Sequence, residues 1–197
     1  MNLQEYKEKV LLGEFLSKAE ALILADAPLE ELCTAANEIR EHFCGNNFDI
    51  CTIINGKSGK CSENCKYCAQ SAFYSTETET YPLLDTEGIL EQAKYNDEKG
   101  VLRYAIVTSG KMLNEDEVDK ACESIKAIRK ETEIAVCVSF GLLNEHQFRK
   151  IKAAGATRTH NNLETSRNNF PNVCTSHSYE DKIETIKSAQ LCWIKCL

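Results

Sequence analysis

The sequence lacks an excess of basic residues, a secretion signal and any long uninterrupted apolar run. Asp and Glu outnumber Lys and Arg by 30 to 23, giving a net charge of −7. No basic face is therefore expected to release counterions from phosphates, which argues against nucleic-acid binding. Segment 1–9 carries acidic residues before any apolar stretch, unlike a signal peptide. Charged residues interrupt the apolar-rich stretch 10–32, which therefore cannot span a membrane. These absences predict a cytoplasmic protein without nucleic-acid or membrane partners.

Cysteine, in contrast, is abundant, with eleven in 197 residues. In a reducing compartment, cysteines more often bind metals or pack as small apolar residues than form disulfides. Cys33 and Cys122 lie in helical patterns in which a cysteine simply packs. Cys51 lies in a predicted strand and is expected to be buried. Three further cysteines, Cys61, Cys65 and Cys68, follow that strand with the spacing CxxxCxxC.

Apolar periodicity predicts strands that alternate with helices along most of the chain. Helices are predicted at 5–24, 29–43, 85–99, 114–130, 144–154 and 178–189, and strands at 48–55, 103–108, 133–140 and 157–163. This alternation indicates an α/β fold with a parallel sheet and right-handed crossovers. The residues with obvious chemistry follow the strands, where both a (β/α) barrel and a doubly wound open sheet build their sites. The pattern alone leaves both folds open.

The CxxxCxxC spacing is compatible with three kinds of site. A zinc site would need a fourth ligand that is not evident nearby, and zinc sites usually show paired CxxC halves. A disulfide framework does not suit a reducing compartment. Three thiolates can also hold a four-iron cluster and leave one iron without a protein ligand. S-adenosylmethionine could chelate that iron and be cleaved by one electron to a 5′-deoxyadenosyl radical.

Three separated motifs resemble the biotin synthase family, radical S-adenosylmethionine enzymes with a TIM-type (β/α) barrel. The first is CSENCKYCAQSAFY, from Cys61 to Tyr74, which contains the family's Y-C-x-Q-S run. The second, from His160 to Ser166, is HNNLETS, similar to the family's fourth-strand motif. The third is segment 172–179 with the helix after it. The resemblance extends from about residue 5 to residue 190.

The resemblance assigns roles to individual residues. Cys61, Cys65 and Cys68 would bind the 4Fe–4S cluster, and the aromatic ring of Tyr67 would lie near the adenine of S-adenosylmethionine. In the family, an Asn and an acid of the fourth-strand motif contact the ribose hydroxyls near the substrate. Their counterparts here are Asn162 and Glu164, although the acid is more often Asp in the family. From the residues alone, a turn-forming Asn at a strand end is the more ordinary interpretation of Asn162.

The reaction implied by the resemblance is sulfur insertion into dethiobiotin to form biotin. The adenosyl radical would remove hydrogen from two unactivated carbons, and a second iron–sulfur cluster would supply the sulfur. The family also implies an electron donor such as flavodoxin or ferredoxin, and a homodimer. Two alternatives are another radical S-adenosylmethionine enzyme with the same barrel and a module that binds zinc or an iron–sulfur cluster without radical chemistry.

The sequence departs from the family at the second cluster. In familiar members its ligands are cysteines on strands two, three and five and a late arginine. Cys137 would supply the strand-three ligand, but Ala105 stands where the strand-two cysteine is expected. The second cluster must therefore differ from the family's or be absent. Cys174 follows strand four and could supply a replacement thiolate. An incidental loop cysteine is the alternative interpretation of Cys174.

A second departure lies after residue 190. The family continues with a small-residue turn and a strand beginning V-C-S-G-G, whereas this chain reads LCWIKCL over 191–197. One permitted codon choice for that segment, read one base later, encodes Phe-Ala-Gly-Leu-Ser-Val. A single-base frameshift near residue 190 is therefore predicted, which the coding DNA would test.

The expected organisation is N-terminal helices over 1–46, a partial barrel over 47–190 and an aberrant tail over 191–197. Four βα units make half of an eight-unit barrel. The first and fourth strands would then be open edges, and the inner side chains would lack a facing layer. The chain as written is expected to aggregate and to show no turnover.

Overall fold

The computed structural model describes residues 2–192 and 194–196, so Met1, Trp193 and Leu197 lie outside the account below. The chain divides into two compact units, Met1–Phe48 and Asp49–Leu197. No helix in the described part of the chain is long and apolar enough to cross a membrane.

The N-terminal unit contains three helices, α1 (Leu3–Leu11), α2 (Lys18–Leu24) and α3 (Leu29–Cys44). The single helix predicted over 5–24 is wrong because the chain breaks at Gly13, whose φ is +84°. Ser17 then begins α2 with a capping box that it forms with Glu20. Cys33 was expected to pack but is exposed.

The second unit alternates strands and helices. Its elements are β1 (Cys51–Lys57), α4 (Thr86–Glu98), β2 (Arg103–Thr108), α5 (Glu115–Glu131), β3 (Ala135–Ser139), α6 (Glu145–Ala154), β4 (Arg158–Thr159), α7 (Phe170–Val173), α8 (Tyr179–Leu191) and β5 (Lys195–Cys196). The predicted helix starts are confirmed, because the Asp85, Asn114, Asn144 and Ser178 side chains each accept a hydrogen bond from the first turn of the helix that follows.

The five strands form one parallel sheet in the order β1-β2-β3-β4-β5. A doubly wound sheet reverses its strand order at a switch point, whereas a barrel adds each strand beside the previous one. The sequential order observed here therefore confirms the barrel-type (β/α) arrangement over the alternative that the sequence left open.

The two faces of the sheet are chemically distinct. Tyr104, Ile106, Val136 and Val138 are at most 1% exposed and belong to the core beneath the helices. On the opposite face, one row of paired positions crosses the whole sheet: Ile53, Ala105, Cys137, Arg158 and Lys195. Ile53 in this row is 67% exposed. At the start of β1, Cys51 was expected to be buried, but it is exposed.

The prediction that the fourth strand is an open edge is wrong, since β5 pairs with β4 on its far side. Ile194 is 2% exposed and Cys192 is 6% exposed, and both belong to the apolar core. Burying these apolar side chains holds the segment after α8 against the sheet. The fourth strand itself is shorter than the predicted 157–163, since the last backbone hydrogen bond to β3 is donated by the His160 N–H to the Val138 carbonyl at 2.8 Å.

Candidate metal centre

The cysteine loop begins with a sharp turn after β1. Gly59 and Lys60 both have positive φ values, +75° and +49°. A Cβ atom at Gly59 would lie 2.3 Å from Thr80 Oγ1, and the Gly59 N–H donates to Gln70 Oε1 at 2.8 Å. Glycine is therefore required at position 59 both for its backbone conformation and for space. The turn delivers Cys61 to the end of the strand.

Backbone hydrogen bonds then fold the loop back on itself. The Cys61 N–H donates to the Gln70 carbonyl at 2.9 Å, and the Cys61 carbonyl accepts from the Ala72 N–H at 2.9 Å. The Cys65 carbonyl accepts from the Cys68 N–H at 3.1 Å. Cys61 is buried, while Cys65 and Cys68 are half-buried. One loop therefore fixes the backbone of all three cysteines.

Asn64 attaches this loop to the segment 174–177, which connects α7 to α8. Its Oδ1 accepts from the N–H groups of Thr175 at 2.9 Å and Ser176 at 3.1 Å. Its Nδ2 donates to Thr175 Oγ1 at 2.6 Å. The Asn64 N–H donates to Ser176 Oγ at 3.1 Å. The amide side chain thus supplies the backbone partners that this irregular segment would otherwise lack.

Glu63 makes a second, buried attachment. Its carboxylate accepts from Ser176 Oγ at 2.8 Å and lies 2.6 Å from His177 Nδ1. The Glu63 carbonyl accepts from Ser71 Oγ at 2.6 Å. Burial alone would raise the pKa of the Glu63 carboxyl, but the hydrogen bonds from His177 and Ser176 outweigh it and lower this pKa. Glu63 therefore links both ends of the loop to His177.

Cys174 faces the cysteine loop, with its Sγ 3.7 Å from Cys65 Sγ. Burial, together with the neighbouring Cys174, raises the pKa of Cys65 to about 12. Burial also disfavours the Cys174 thiolate, but hydrogen bonds from Ser176 and the His177 backbone lower the pKa of Cys174 overall. Within this pair, Cys174 is the thiol that ionises first.

The loop also meets the fourth-strand motif. The Tyr67 hydroxyl lies beside the Glu164 carboxylate, and partial burial together with that negative charge raises the pKa of Tyr67. Glu164 has a φ of +67°, an unusual conformation for a residue other than glycine. Lys182 Nζ lies 3.7 Å from Glu164 Oε1. The structure therefore brings Tyr67 and Glu164 together, while their roles at the cofactor stay predictions.

Two asparagines of the same motif differ in their contacts. Asn162, the predicted site residue, is exposed and lies with its Oδ1 2.6 Å from His160 Nε2. Asn161 accepts from Lys182 Nζ at 3.4 Å, while its Nδ2 is buried with no hydrogen-bond partner. An unpaired buried donor is costly. The motif therefore contains a buried amide N–H group without a partner, on Asn161, next to the positive charge of Lys182.

Cys137 lies apart from these contacts, on β3. Its register partner on β2 is Ala105, and its partner on β4 is Arg158. It is 4% exposed, and burial raises its pKa. The structure thus puts Cys137 in the row that crosses the sheet and puts Cys174 at the cysteine loop. A role for both at one second cluster stays a prediction.

Sequence reasoning missed four residues that position the loop: Glu63, Asn64, Ser176 and His177. Ser176 and His177 lie in segment 172–179, which resembles the family but for which the sequence predicts no individual roles. Glu63 and Asn64 lie between the first two cysteines, and the sequence analysis assigns them no role. Their partners are more than one hundred positions away in the chain, so no local pattern reveals them.

Relatives with curated names resemble this chain over most of its length. It is 60% identical over 181 residues to the biotin synthase of Akkermansia muciniphila, an alignment that covers 92% of this chain and 56% of the relative. It is 55% identical to the biotin synthase of Brachyspira hyodysenteriae, over 96% of this chain and 57% of the relative. The chain therefore spans about half the length of the curated relatives it matches.

Solved structures share the fold at low sequence identity. Methylornithine synthase superposes with a TM-score of 0.77 at 19% identity, covering 96% of this chain and 57% of that one. The FeFe-hydrogenase maturase from Carboxydothermus hydrogenoformans gives a TM-score of 0.76 at 20% identity, covering 97% and 46%. The family model described as the Radical SAM superfamily matches residues 55–192, which include the cysteine loop, the fourth-strand motif and the 174–177 segment. This chain belongs to the Radical SAM superfamily.

Proposed function

We propose that this protein functions as a biotin synthase, which inserts sulfur into dethiobiotin to form biotin. The observation that carries the proposal is the 60% identity to a biotin synthase over 92% of this chain. Because the chain spans 56% of that relative, the activity is proposed for a protein of the relatives' full length.

The cysteine loop would hold a 4Fe–4S cluster through Cys61, Cys65 and Cys68. Thiolates are the usual ligands of such clusters, and three of them leave one iron free for a substrate or cofactor. These three thiols suit such a cluster because one loop, whose backbone is fixed by hydrogen bonds, carries all of them. When bound, the cluster supplies the electron that cleaves S-adenosylmethionine to the 5′-deoxyadenosyl radical.

The neighbours of the loop would bind S-adenosylmethionine. Lys182 and the unpaired Nδ2 of Asn161 supply a positive charge and a free donor, which suit a carboxylate. Tyr67 is an aromatic residue that is 58% exposed, and we assign the adenine to its ring. Asn162 and Glu164 carry polar groups suited to ribose hydroxyls. These residues would orient the cofactor by charge and hydrogen bonding.

A second iron–sulfur cluster would supply the sulfur, with Cys137 as one ligand. Cys137 projects from β3 in the row that crosses the sheet. Ala105 beside it carries no donor atom, so the second cluster must either differ from one built on three strand cysteines or be absent. Cys174 remains a candidate for this cluster by the reasoning from sequence. Its contact with Cys65 favours a role at the loop instead.

The proposed partners are dethiobiotin, an electron donor such as flavodoxin or ferredoxin, and a second copy of the protein in a homodimer. Anaerobic turnover tests the central part of this proposal. Purified full-length protein, reconstituted with iron and sulfide, would be supplied with S-adenosylmethionine, dethiobiotin and a reductant, and biotin would be measured by mass spectrometry.

Three outcomes of this assay separate the hypotheses. Biotin formation that is lost in Cys65→Ala and kept in Cys33→Ser supports the proposal, since Cys33 is an exposed cysteine of the N-terminal unit. Cleavage of S-adenosylmethionine without biotin would indicate another radical enzyme with the same barrel. A bound cluster that never cleaves S-adenosylmethionine would indicate a metal-binding module.

A further inference from the structure

We propose that Cys65, Cys174 and His177 form a tetrahedral site for a single thiophilic divalent ion, Zn²⁺, in the chain before a cluster is assembled. The ligand atoms of these three residues all lie within 4.8 Å of one another. Cys61 and Cys68 do not belong to this group. The site therefore differs from the loop trio, with which it shares only Cys65.

The spacing of the donor atoms matches one tetrahedral zinc ion. Two sulfurs bound at about 2.3 Å to one tetrahedral zinc are about 3.8 Å apart, and a sulfur and an imidazole nitrogen are about 3.6 Å apart. Cys65 Sγ and Cys174 Sγ are 3.7 Å apart. Cys174 Sγ lies 3.3 Å from Nδ1 and 3.9 Å from Nε2 of His177. The distances that involve Cys174 therefore differ by about 0.3 Å or less from those around one tetrahedral zinc ion.

Glu63 provides the outer support that metal-bound histidines usually have. A ligating histidine almost always donates its other ring N–H to a carboxylate or carbonyl, which fixes the ring and its tautomer. The Glu63 carboxylate lies 2.6 Å from His177 Nδ1, so Nε2 is the nitrogen left for an ion. Because Cys174 Sγ lies nearer to Nδ1 than to Nε2, the imidazole ring must turn to bring Nε2 to an ion that Cys174 also binds. The Glu63 and His177 side chains are only 8% and 6% exposed. The hydrogen bond to Glu63 thus favours the tautomer in which Nε2 carries no proton and can bind an ion.

The donor types select the ion. Two thiolates and one imidazole are soft or borderline ligands, which favour zinc over magnesium or calcium. Two thiolates also neutralise the charge of a divalent ion, so that the occupied site adds little net charge to a largely buried location. Cys174 is 4% exposed. Three protein ligands leave the fourth coordination position for water.

The shared cysteine has a consequence that rests on the proposed function. Cys65 cannot bind a zinc ion with Cys174 and also serve as a terminal ligand of the cluster. Zinc bound at this site would therefore block assembly of the 4Fe–4S cluster. Removing Cys174 would relieve that block, because Cys61, Cys65 and Cys68 would remain.

Cobalt binding tests the site without reference to the cluster. Metal-free reduced chain would be titrated anaerobically with Co²⁺, whose tetrahedral thiolate complexes give intense visible and charge-transfer bands. One equivalent is expected to bind and to be displaced by Zn²⁺. Cys174→Ser and His177→Gln should lose the tetrahedral spectrum. Glu63→Gln should keep the spectrum with affinity about 10- to 100-fold weaker.

Cys68→Ser is the matched control, since it removes a thiol of the same loop that lies outside the site. The tetrahedral spectrum must survive this change; its loss would mean that the loop trio binds the ion and would overturn the proposal. X-ray absorption of the Zn²⁺-loaded unmodified chain adds a measurement that needs no variant. Two sulfurs and one nitrogen are expected, and three sulfurs would contradict the site.

Competition then tests the consequence. Unmodified chain and Cys174→Ser would be reconstituted with iron and sulfide, each with and without one equivalent of Zn²⁺. Zinc should lower cluster yield several-fold in the unmodified chain and leave Cys174→Ser unaffected. Equal inhibition of both would refute the shared-ligand account. Failure of the zinc-free chain to form a cluster would instead count against the proposed function.

Discussion

Asn64 is expected to hold the cysteine loop against segment 174–177, and replacing it with alanine should loosen that attachment. The side chain makes four hydrogen bonds: its Oδ1 accepts from the Thr175 and Ser176 N–H groups and from Cys174 Sγ, and its Nδ2 donates to Thr175 Oγ1. Each contributes about 0.5–1.5 kcal/mol net. Because the attachment is partly exposed, we expect Asn64→Ala to lower the free energy of local opening by about 2 kcal/mol.

Amide hydrogen exchange measures this opening directly. A loss of about 2 kcal/mol corresponds to exchange about 30-fold faster, since 1.4 kcal/mol is a factor of ten. The faster exchange should appear at Thr175 and Ser176 in the reduced, metal-free chain. Amides of β2 and β3 should keep their rates.

Thr76→Ala is the matched control. Its hydroxyl donates to the Ala69 carbonyl within the same loop and does not reach segment 174–177. Exchange at Thr175 and Ser176 should therefore stay unchanged in Thr76→Ala. A rise of less than about threefold in Asn64→Ala, equivalent to about 0.7 kcal/mol, would refute the assignment of Asn64 as the attachment.

Three further changes test other parts of the account. Gly59→Ala should lower the free energy of unfolding more than Gly100→Ala does. Both positions have a φ of +75°, which adds about 1–3 kcal/mol of backbone strain to each variant, but only the Cβ at position 59 would meet neighbouring atoms within 4 Å. Glu117→Gln should cost about 1 kcal/mol by breaking the pair with Lys57. Burial would raise the pKa of Glu117, but the hydrogen bonds from Lys57 and the Asn114 N–H, together with the charge of Lys57, outweigh it and lower this pKa. The stability that the Glu117 carboxylate contributes is therefore present above pH 4.5 and is lost as the pH falls through the lower, folded-state pKa. Ile106→Ala should cost about 2–5 kcal/mol, because this side chain is 0% exposed.

Urea unfolding measures these effects, with controls drawn from the same chain. Glu145→Gln removes an ion pair with Arg149 that is more exposed than the pair between Lys57 and Glu117. It should therefore change the free energy of unfolding and its pH dependence little. Ile53→Ala changes an exposed side chain on the open face of the sheet. It should lower the free energy of unfolding far less than Ile106→Ala does. Equal costs at the two isoleucines would contradict the assignment of faces. Equal costs at Gly59 and Gly100 would contradict the steric requirement at the loop turn.

The sequence predicts the alternation of strands and helices well because each element carries its own signal. Asn114, Asn144 and Ser178 begin helices as their side chains predict. The pattern could not choose between a barrel and a doubly wound sheet, since that choice depends on strand order. It also overestimated β4, because extended polar residues after Thr159 resemble a strand without pairing as one.

The candidate site was predictable only where a motif marks it. The cysteine spacing and the fourth-strand motif each occupy a few consecutive residues. The attachment by Glu63 and Asn64 joins residues more than one hundred positions apart. Such contacts depend on how the loop and α7 fold in space. For the same reason, the sequence could not reveal that the Cys174 thiol lies beside Cys65; the role of Cys174 at a second cluster stays a prediction.

The central claim, that the cysteine loop holds a cluster with one iron open to S-adenosylmethionine, is tested most directly by EPR spectroscopy of the reconstituted chain. The chain should bind about four iron and four sulfide at the loop, lost in Cys65→Ala and kept in Cys33→Ser. Adding S-adenosylmethionine to the reduced cluster should change its spectrum, because the cofactor becomes a ligand of the open iron. An identical spectrum with and without S-adenosylmethionine would contradict the account.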